Sequence, residues 1–147
     1  SSEVQSVEKI NDKVIVIFGG TSGIGKCTAE LAQKLGARVY SYSIDNGCDV
    51  SNYKQVKNKL DEVFRTENRI NYVINTAGVL KMGKLTEQSI EDIENVINTN
   101  YLGSINVAKA SIPYLKETKG GILMFASSSY TRGRAMSPHI LLLKPVL

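Results

Sequence analysis

Val14-Ile15-Val16-Ile17-Phe18-Gly19-Gly20-Thr21-Ser22-Gly23-Ile24-Gly25-Lys26 is the stretch that decides the fold. Its first five residues are apolar without interruption. A strand solvated on one face alternates apolar with polar residues, whereas one covered on both faces reads as a continuous apolar run. Two glycines break the run. Beyond Gly23 the apolar residues Ile24, Cys27, Leu31 and Leu35 recur at helical spacing until Gly36 ends the helix. Strand, glycine-rich turn and helix in this order make a cradle for phosphate. Glycine lets the backbone come close to a ligand with no Cβ in the way. The helix N-terminus offers free amides and a partial positive charge to an anion.

The same alternation continues outward. Val39–Ser43 reads as a second strand and Cys48–Val50 as a short third one. Ile70–Ile74 is a fourth, closed by Asn75-Thr76-Ala77-Gly78, and Ile122–Ala126 a fifth. Between them, Tyr53, Val56, Leu60, Val63 and Phe64 form one helix face. Ser89, with Asp92 three residues later, caps a helix carrying Ile93, Val96 and Ile97. A further helix runs through Val107, Ala108, Ser111 and Leu115, with a bend or break expected at Pro113. Strands alternating with helices predict an α/β protein, a doubly wound parallel (Rossmann) sheet. Right-handed crossovers order its five or so strands 3-2-1-4-5.

Composition narrows the function. The 147 residues are 42% hydrophobic and 22% charged, which suits one domain. Eighteen basic and 14 acidic residues give a net charge of +4, a mild excess that admits anionic small ligands and does not point to nucleic acid. No apolar stretch, Ile140–Leu143 included, is long enough to span a bilayer. Two cysteines and one histidine make neither a disulfide framework nor a metal cluster, so a reduced, cytoplasmic setting and no metal are expected. The chain opens Ser1-Ser2-Glu3 without an initiator methionine and closes on the apolar Leu142-Leu143-Lys144-Pro145-Val146-Leu147. This suggests a processed start, a tag remnant or excision from a longer polypeptide.

Two nucleotide-binding readings compete for the glycine loop. Gly20 to Lys26 fits a P-loop, but Cys27 stands where serine or threonine would hold magnesium, and the fourth strand ends in Asn75 where an aspartate would help. The spacing Gly19-x-x-x-Gly23-x-Gly25 instead fits a dinucleotide loop, and this reading is preferred. A side chain at Gly23 would then intrude on the pyrophosphate.

Taken with this loop, Asp49-Val50, Asn75-Thr76-Ala77-Gly78, Asn100-Tyr101-Leu102-Gly103 and Phe125-Ala126-Ser127-Ser128-Ser129 form an ordered set that resembles the short-chain dehydrogenases/reductases, across about Asp12 to Arg134. More narrowly, Ser127 to Arg134 resembles the ribulose 5-phosphate reductase half of bifunctional enzymes that make CDP-ribitol for bacterial surface polymers. In those enzymes a cytidylyltransferase domain is fused to the reductase.

The resemblance implies a role for each motif. Gly19, Thr21, Ser22, Gly23, Ile24 and Gly25 would cradle the cofactor's pyrophosphate. Asn75, Ala77 and Gly78 would line the cleft, with Asp49 and Val50 at the adenine. The neutral Ser43 at the end of the second strand leaves room for a 2′-phosphate, with Lys26 or Arg38 as cationic partner. NADP is therefore expected over NAD, unless Asp45 turns in to a ribose. Ser127 would hold the substrate oxygen, Asn100 a relay water, and Arg132 and Arg134 a sugar phosphate. The family's proton-donating tyrosine would fall at 140 and its lysine at 144; Lys144 is present, but position 140 is Ile140. Residues 1–135 thus read as the dinucleotide-binding portion and 136–147 as an atypical tail. The isolated chain is expected to be inactive, either a truncated reductase or a remnant that binds dinucleotide without chemistry. The unpaired edge of the fifth strand, or the tail, is expected to draw a second copy into a homo-oligomer.

Overall fold

The computed structural model describes residues 10–21, 23–78, 84–127 and 138–143. β1 (Val14–Phe18) is the centre of the sheet, and all five of its residues are buried. It pairs in parallel with β2 (Arg38–Tyr42) on one side and β3 (Tyr72–Asn75) on the other. β4 (Gly121–Ser127) extends the parallel sheet beyond β3. The helices are α1 (Gly23–Lys34), α2 (Tyr53–Glu67), α3 (Ile90–Val96) and α4 (Gly103–Thr118), with a π-turn at Ile97–Leu102 joining the last two. Successive residues of a strand point to opposite faces, and β1 divides accordingly. Val14, Val16 and Phe18 pack with Val56, Leu60 and Val63 of α2 and Val107 and Leu115 of α4. Ile15 and Ile17 pack with Ile74 of β3 and Ala29 and Ala32 of α1. The doubly wound α/β class stands.

Four details depart from the sequence reading. Cys48–Val50 is a turn, not a strand: Asp49 accepts hydrogen bonds from the Ser51 amide (3.0 Å) and hydroxyl (2.7 Å), and Gln55 accepts from the Asp49 amide (2.8 Å). Side chains satisfy this backbone where a neighbouring strand would have done so. The parallel sheet therefore runs β2-β1-β3-β4. Next, the sheet-facing side of α1 is Gly25, Ala29 and Ala32, while Ile24 and Leu31 are 49% and 58% exposed. Third, Pro113 neither breaks nor ends α4, which runs through it to Thr118.

The fourth concerns the sheet edge. β5 (Pro138–Leu143) pairs antiparallel along β4, from Ser127 opposite Pro138 to Ile122 opposite Leu143. The chain's own tail thus supplies the ladder partners that the β4 edge was expected to seek in another copy.

The end of the sheet away from the glycine loop is locked by polar side chains. Asn71 accepts a hydrogen bond from the Val14 amide at 2.9 Å. Glu67, nearly buried, accepts from Arg38 Nε at 2.8 Å and from the Tyr40 hydroxyl. These two hydrogen bonds, Arg38 first, hold the Glu67 carboxyl below its ordinary 4.5. Between α2 and α4, Asp61 accepts from Lys57 at 2.6 Å and from the Tyr114 hydroxyl. Burial alone would push the Asp61 carboxyl up, but the two hydrogen bonds outweigh it and the net shift is downward.

Candidate functional site: a dinucleotide cleft

The cleft opens at the carboxyl ends of β1, β2 and β3, where parallel α/β sheets place their ligands. Its volume is about 380 Å³. Gly19 turns the chain out of β1 at φ +85°, and its amide donates to the Tyr42 carbonyl at 2.7 Å. A Cβ there would lie 2.6 Å from Thr76 Oγ1 and 2.7 Å from the Ala77 amide nitrogen, so the loop rests directly on the segment after β3. Thr76 secures that contact from the other side: its hydroxyl and amide both donate to the Phe18 carbonyl, at 3.0 and 2.8 Å. Gly23 begins α1 at φ +54°, and a Cβ on it would meet nothing within 4 Å. That space is where an anion would sit against the first amides of α1. The first turn of α1 carries no acidic side chain to oppose it.

The side of the cleft formed by the turn after β2 is polar. Thr21 Oγ1 lies 2.6 Å from Ser43 Oγ and donates to Asp45 at 3.2 Å, tying the glycine loop to the turn after β2. Asn46 holds that turn by accepting from the Ser43 amide at 2.6 Å and donating to the Ser41 carbonyl at 2.9 Å. Val50 is buried against Gly103, where a Cβ would come within 2.6 Å of Val50 Cγ2, and Asn106 donates to the Val50 carbonyl at 2.9 Å. Cys48 also lines the cleft; burial pushes its thiol up to about 11, so it stays protonated and inert.

Of the residues singled out in the sequence, Gly19, Thr21, Gly23, Ile24, Gly25, Ser43, Asp49, Val50, Ala77 and Gly78 all line this one cleft. Asn75 stands behind it, 3% exposed, and accepts from the Ala77 amide at 3.1 Å, which fixes the turn. Asn100 sits on the π-turn with its Oδ1 3.1 Å from where a Gly78 Cβ would be. Ser127 is the last residue of β4. Ser22, Arg132, Arg134 and Lys144 lie outside the described residues. Arg38 does not reach the cleft. It starts β2, opposite Val14, at the far end of the strand from Tyr42, and it is paired with Glu67. Thr99, buried on the π-turn, and Ile44 line the cleft without having been singled out. Neither has a motif of its own, and only the fold brings them there.

A parallel α/β sheet whose glycine loop, turn after β2 and turn after β3 converge on one cleft at the carboxyl ends of its strands defines a dinucleotide-binding protein. The family described as short chain dehydrogenase matches residues 13–139, and the chain belongs to it. That family binds nicotinamide dinucleotide. The chain is 41% identical over 133 residues to the bifunctional ribulose 5-phosphate reductase/CDP-ribitol pyrophosphorylase Bcs1 of Haemophilus influenzae, a match covering 90% of this chain and 28% of that protein. It is 29% identical over 134 residues to the 3-oxoacyl-[acyl-carrier-protein] reductase of Homo sapiens, covering 80% of this chain and 56% of the other. Among solved structures, the ligand-free aldohexose dehydrogenase of Thermoplasma acidophilum superposes with a TM-score of 0.72 at 31% identity, covering 76% of this chain and 48% of that one. The chain thus spans only about a quarter to rather more than half of the length of these relatives. No helix among the described residues is long and apolar enough to cross a membrane.

Proposed function

We propose that this chain is the cofactor-holding portion of a nicotinamide-dependent reductase that converts a ketopentose phosphate, ribulose 5-phosphate, to the alcohol ribitol 5-phosphate. One observation carries the substrate class: the 41% identity to a ribulose 5-phosphate reductase over 90% of the chain, against 29% to an acyl-carrier-protein reductase. The cofactor, when bound, supplies the hydride that the carbonyl carbon receives. The chain's own part is to orient it. Gly19, Gly23 and Gly25 let the pyrophosphate approach the amides of α1, Val50 packs at the adenine, and the Asn75-fixed turn presents Ala77 and Gly78 to the ring that reacts. Ser127, at the end of β4, holds the substrate oxygen; Asn100 anchors a relay water; Arg132 and Arg134 grip the sugar phosphate. Ile140 stands where the family's proton donor would be and has no proton to give, so this chain by itself binds dinucleotide without turning over the sugar.

NADP is the proposed form of the cofactor, on the neutral Ser43. With Arg38 committed to Glu67, Lys26 on the exposed side of α1 is the remaining cationic partner considered for a 2′-phosphate. A fused cytidylyltransferase domain and a cytoplasmic location belong to the same reading.

Isothermal calorimetry with NADPH, NADH and magnesium-ATP tests it. NADPH should bind more tightly than NADH, and Lys26→Ala should remove that preference. Tighter NADH binding overturns the choice of NADP and leaves the dinucleotide cleft standing. ATP binding without either dinucleotide overturns both. NADPH oxidation on adding ribulose 5-phosphate, lost in Ser127→Ala, would show that Ile140 does not silence the chain.

A further inference from the structure

Asn46 is the only asparagine of the chain that a glycine follows. That pair has a chemistry of its own. A glycine amide nitrogen can reach the side-chain carbonyl of the asparagine before it, because no Cβ stands in the way. Gly47 leaves the approach open: it is exposed, at φ +89°, and a Cβ on it would meet nothing within 4 Å. Asn46 is exposed as well, so water reaches both groups.

The folded turn commits both groups elsewhere. Asn46 Oδ1 accepts from the Ser43 amide at 2.6 Å, and its Nδ2 donates to the Ser41 carbonyl at 2.9 Å. The Gly47 amide donates to the Ile44 carbonyl at 3.2 Å. Hydrogen bonds, not packing, keep this turn closed. None of residues 44–46 is buried, and Ile44 is 70% exposed. Thr21 ties the turn to the glycine loop, its hydroxyl 2.6 Å from Ser43 Oγ and 3.2 Å from Asp45. A short segment without buried apolar contacts opens locally far more often than the whole domain unfolds.

We propose that Asn46-Gly47 is a site of spontaneous deamidation, reached by local opening of the turn after β2, and that its conversion weakens the dinucleotide cleft. In the opened turn the Gly47 nitrogen attacks Asn46 Cγ. The N–Cγ bond forms, the Cγ–Nδ2 bond breaks, and ammonia leaves with the proton that Gly47 carried. The cyclic imide then takes up one water from solvent and opens to aspartate or isoaspartate. Either product puts a negative charge next to Asp45, which lines a cleft that receives an anionic cofactor. Aspartate has no proton to give the Ser41 carbonyl, and isoaspartate lengthens the main chain by one carbon. The effect on the cofactor rests on the dinucleotide reading; the conversion itself does not.

Peptide mass spectrometry of the full chain, aged in mildly alkaline buffer, tests the site. The wild-type chain should convert at Asn46 ahead of every other asparagine. Thr21→Val should speed that conversion about fivefold, the worth of one net hydrogen bond holding the turn. Glu67→Gln, which loosens the opposite end of β2, should leave the rate unchanged because the opening is local. In calorimetry, Asn46→Asp should raise the dissociation constant for NADPH about tenfold over the fresh wild-type chain, from one lost hydrogen bond and one added like charge. No conversion at Asn46, or one that Glu67→Gln speeds as much as Thr21→Val does, overturns the proposal. An Asn46→Asp chain that binds NADPH as tightly as wild type overturns the effect on the cleft. A fresh wild-type chain that binds neither NADPH nor NADH refutes the dinucleotide reading instead, and the mass measurements still decide the modification.

Discussion

A methyl group added at Gly25 would lie 2.1 Å from the Gly19 carbonyl oxygen, 2.4 Å from Thr76 Oγ1 and 2.7 Å from the Gly19 carbonyl carbon. Two of these atoms are backbone, so no change of rotamer relieves them. The third belongs to a hydroxyl already committed to the Phe18 carbonyl at 3.0 Å. Gly25→Ala must therefore push α1 away from the turn after β3. Overpacking of this kind costs about 1–3 kcal/mol, and contact with fixed backbone argues for the upper end. Alanine's better helix propensity returns up to about 1 kcal/mol, leaving a net loss of about 2 kcal/mol. At about 2–4 °C per kcal/mol for a chain of this size, the thermal midpoint should fall by about 4–8 °C. Gly23→Ala is the control: nothing lies within 4 Å of its Cβ, and only its φ of +54° resists a side chain. That conformation costs about 1 kcal/mol, or about 2–4 °C. Thermal unfolding followed by circular dichroism reads both. A Gly25→Ala chain that melts at or above the Gly23→Ala chain would refute the close packing of the glycine loop on Thr76 from which the cleft is built.

The remaining predictions concern charge and burial. Because Glu67 titrates below its ordinary 4.5 in the fold, it contributes stability above the unfolded value and loses it as pH falls through the folded one. Glu67→Gln should accordingly be less stable than wild type near neutrality and converge with it in acid, as urea unfolding at a series of pH values would report; a pH-independent difference would contradict the pairing with Arg38 and Tyr40. The Ser111 hydroxyl is buried without a hydrogen-bond partner. An unpaired buried polar group costs about 1–3 kcal/mol, so Ser111→Ala should raise the thermal midpoint by about 2–12 °C, and a fall would show that the hydroxyl is paired.

The architecture was legible where one residue type settles one local question. The unbroken run Val14–Phe18 announced a strand buried on both faces, and Ser89 does cap α3, accepting from the Asp92 amide at 3.1 Å. Ten of the cleft's lining residues were readable because glycines and turn residues mark places where backbone meets backbone or ligand. The errors share a cause. The spacing of Ile24, Cys27, Leu31 and Leu35 marks α1 as a helix, yet the helix meets the sheet through Gly25, Ala29 and Ala32. Small residues let a helix come closer to the sheet, and a count of large apolar side chains overlooks that. Arg38 looked available to a phosphate because its charge is visible in sequence, while Glu67, 29 residues away, is brought to it only by the pairing of β1 with β2 and the packing of α2.

The π-turn at Ile97–Leu102 is the least legible element and joins an exposed helix to a buried one. α3 buries nothing, whereas α4 buries five residues beginning at Gly103, where the helix comes close enough to Val50 that a Cβ would collide at 2.6 Å. A regular helix would carry α3's orientation unchanged into α4. The wider turn rotates the register between them, which lets an exposed segment run directly into a buried one. Within those six residues Thr99 turns inward to line the dinucleotide cleft and Asn100 lies against Gly78, while Ile97 and Tyr101 stay exposed. The cleft wall and the outer surface are therefore built from alternate members of one turn.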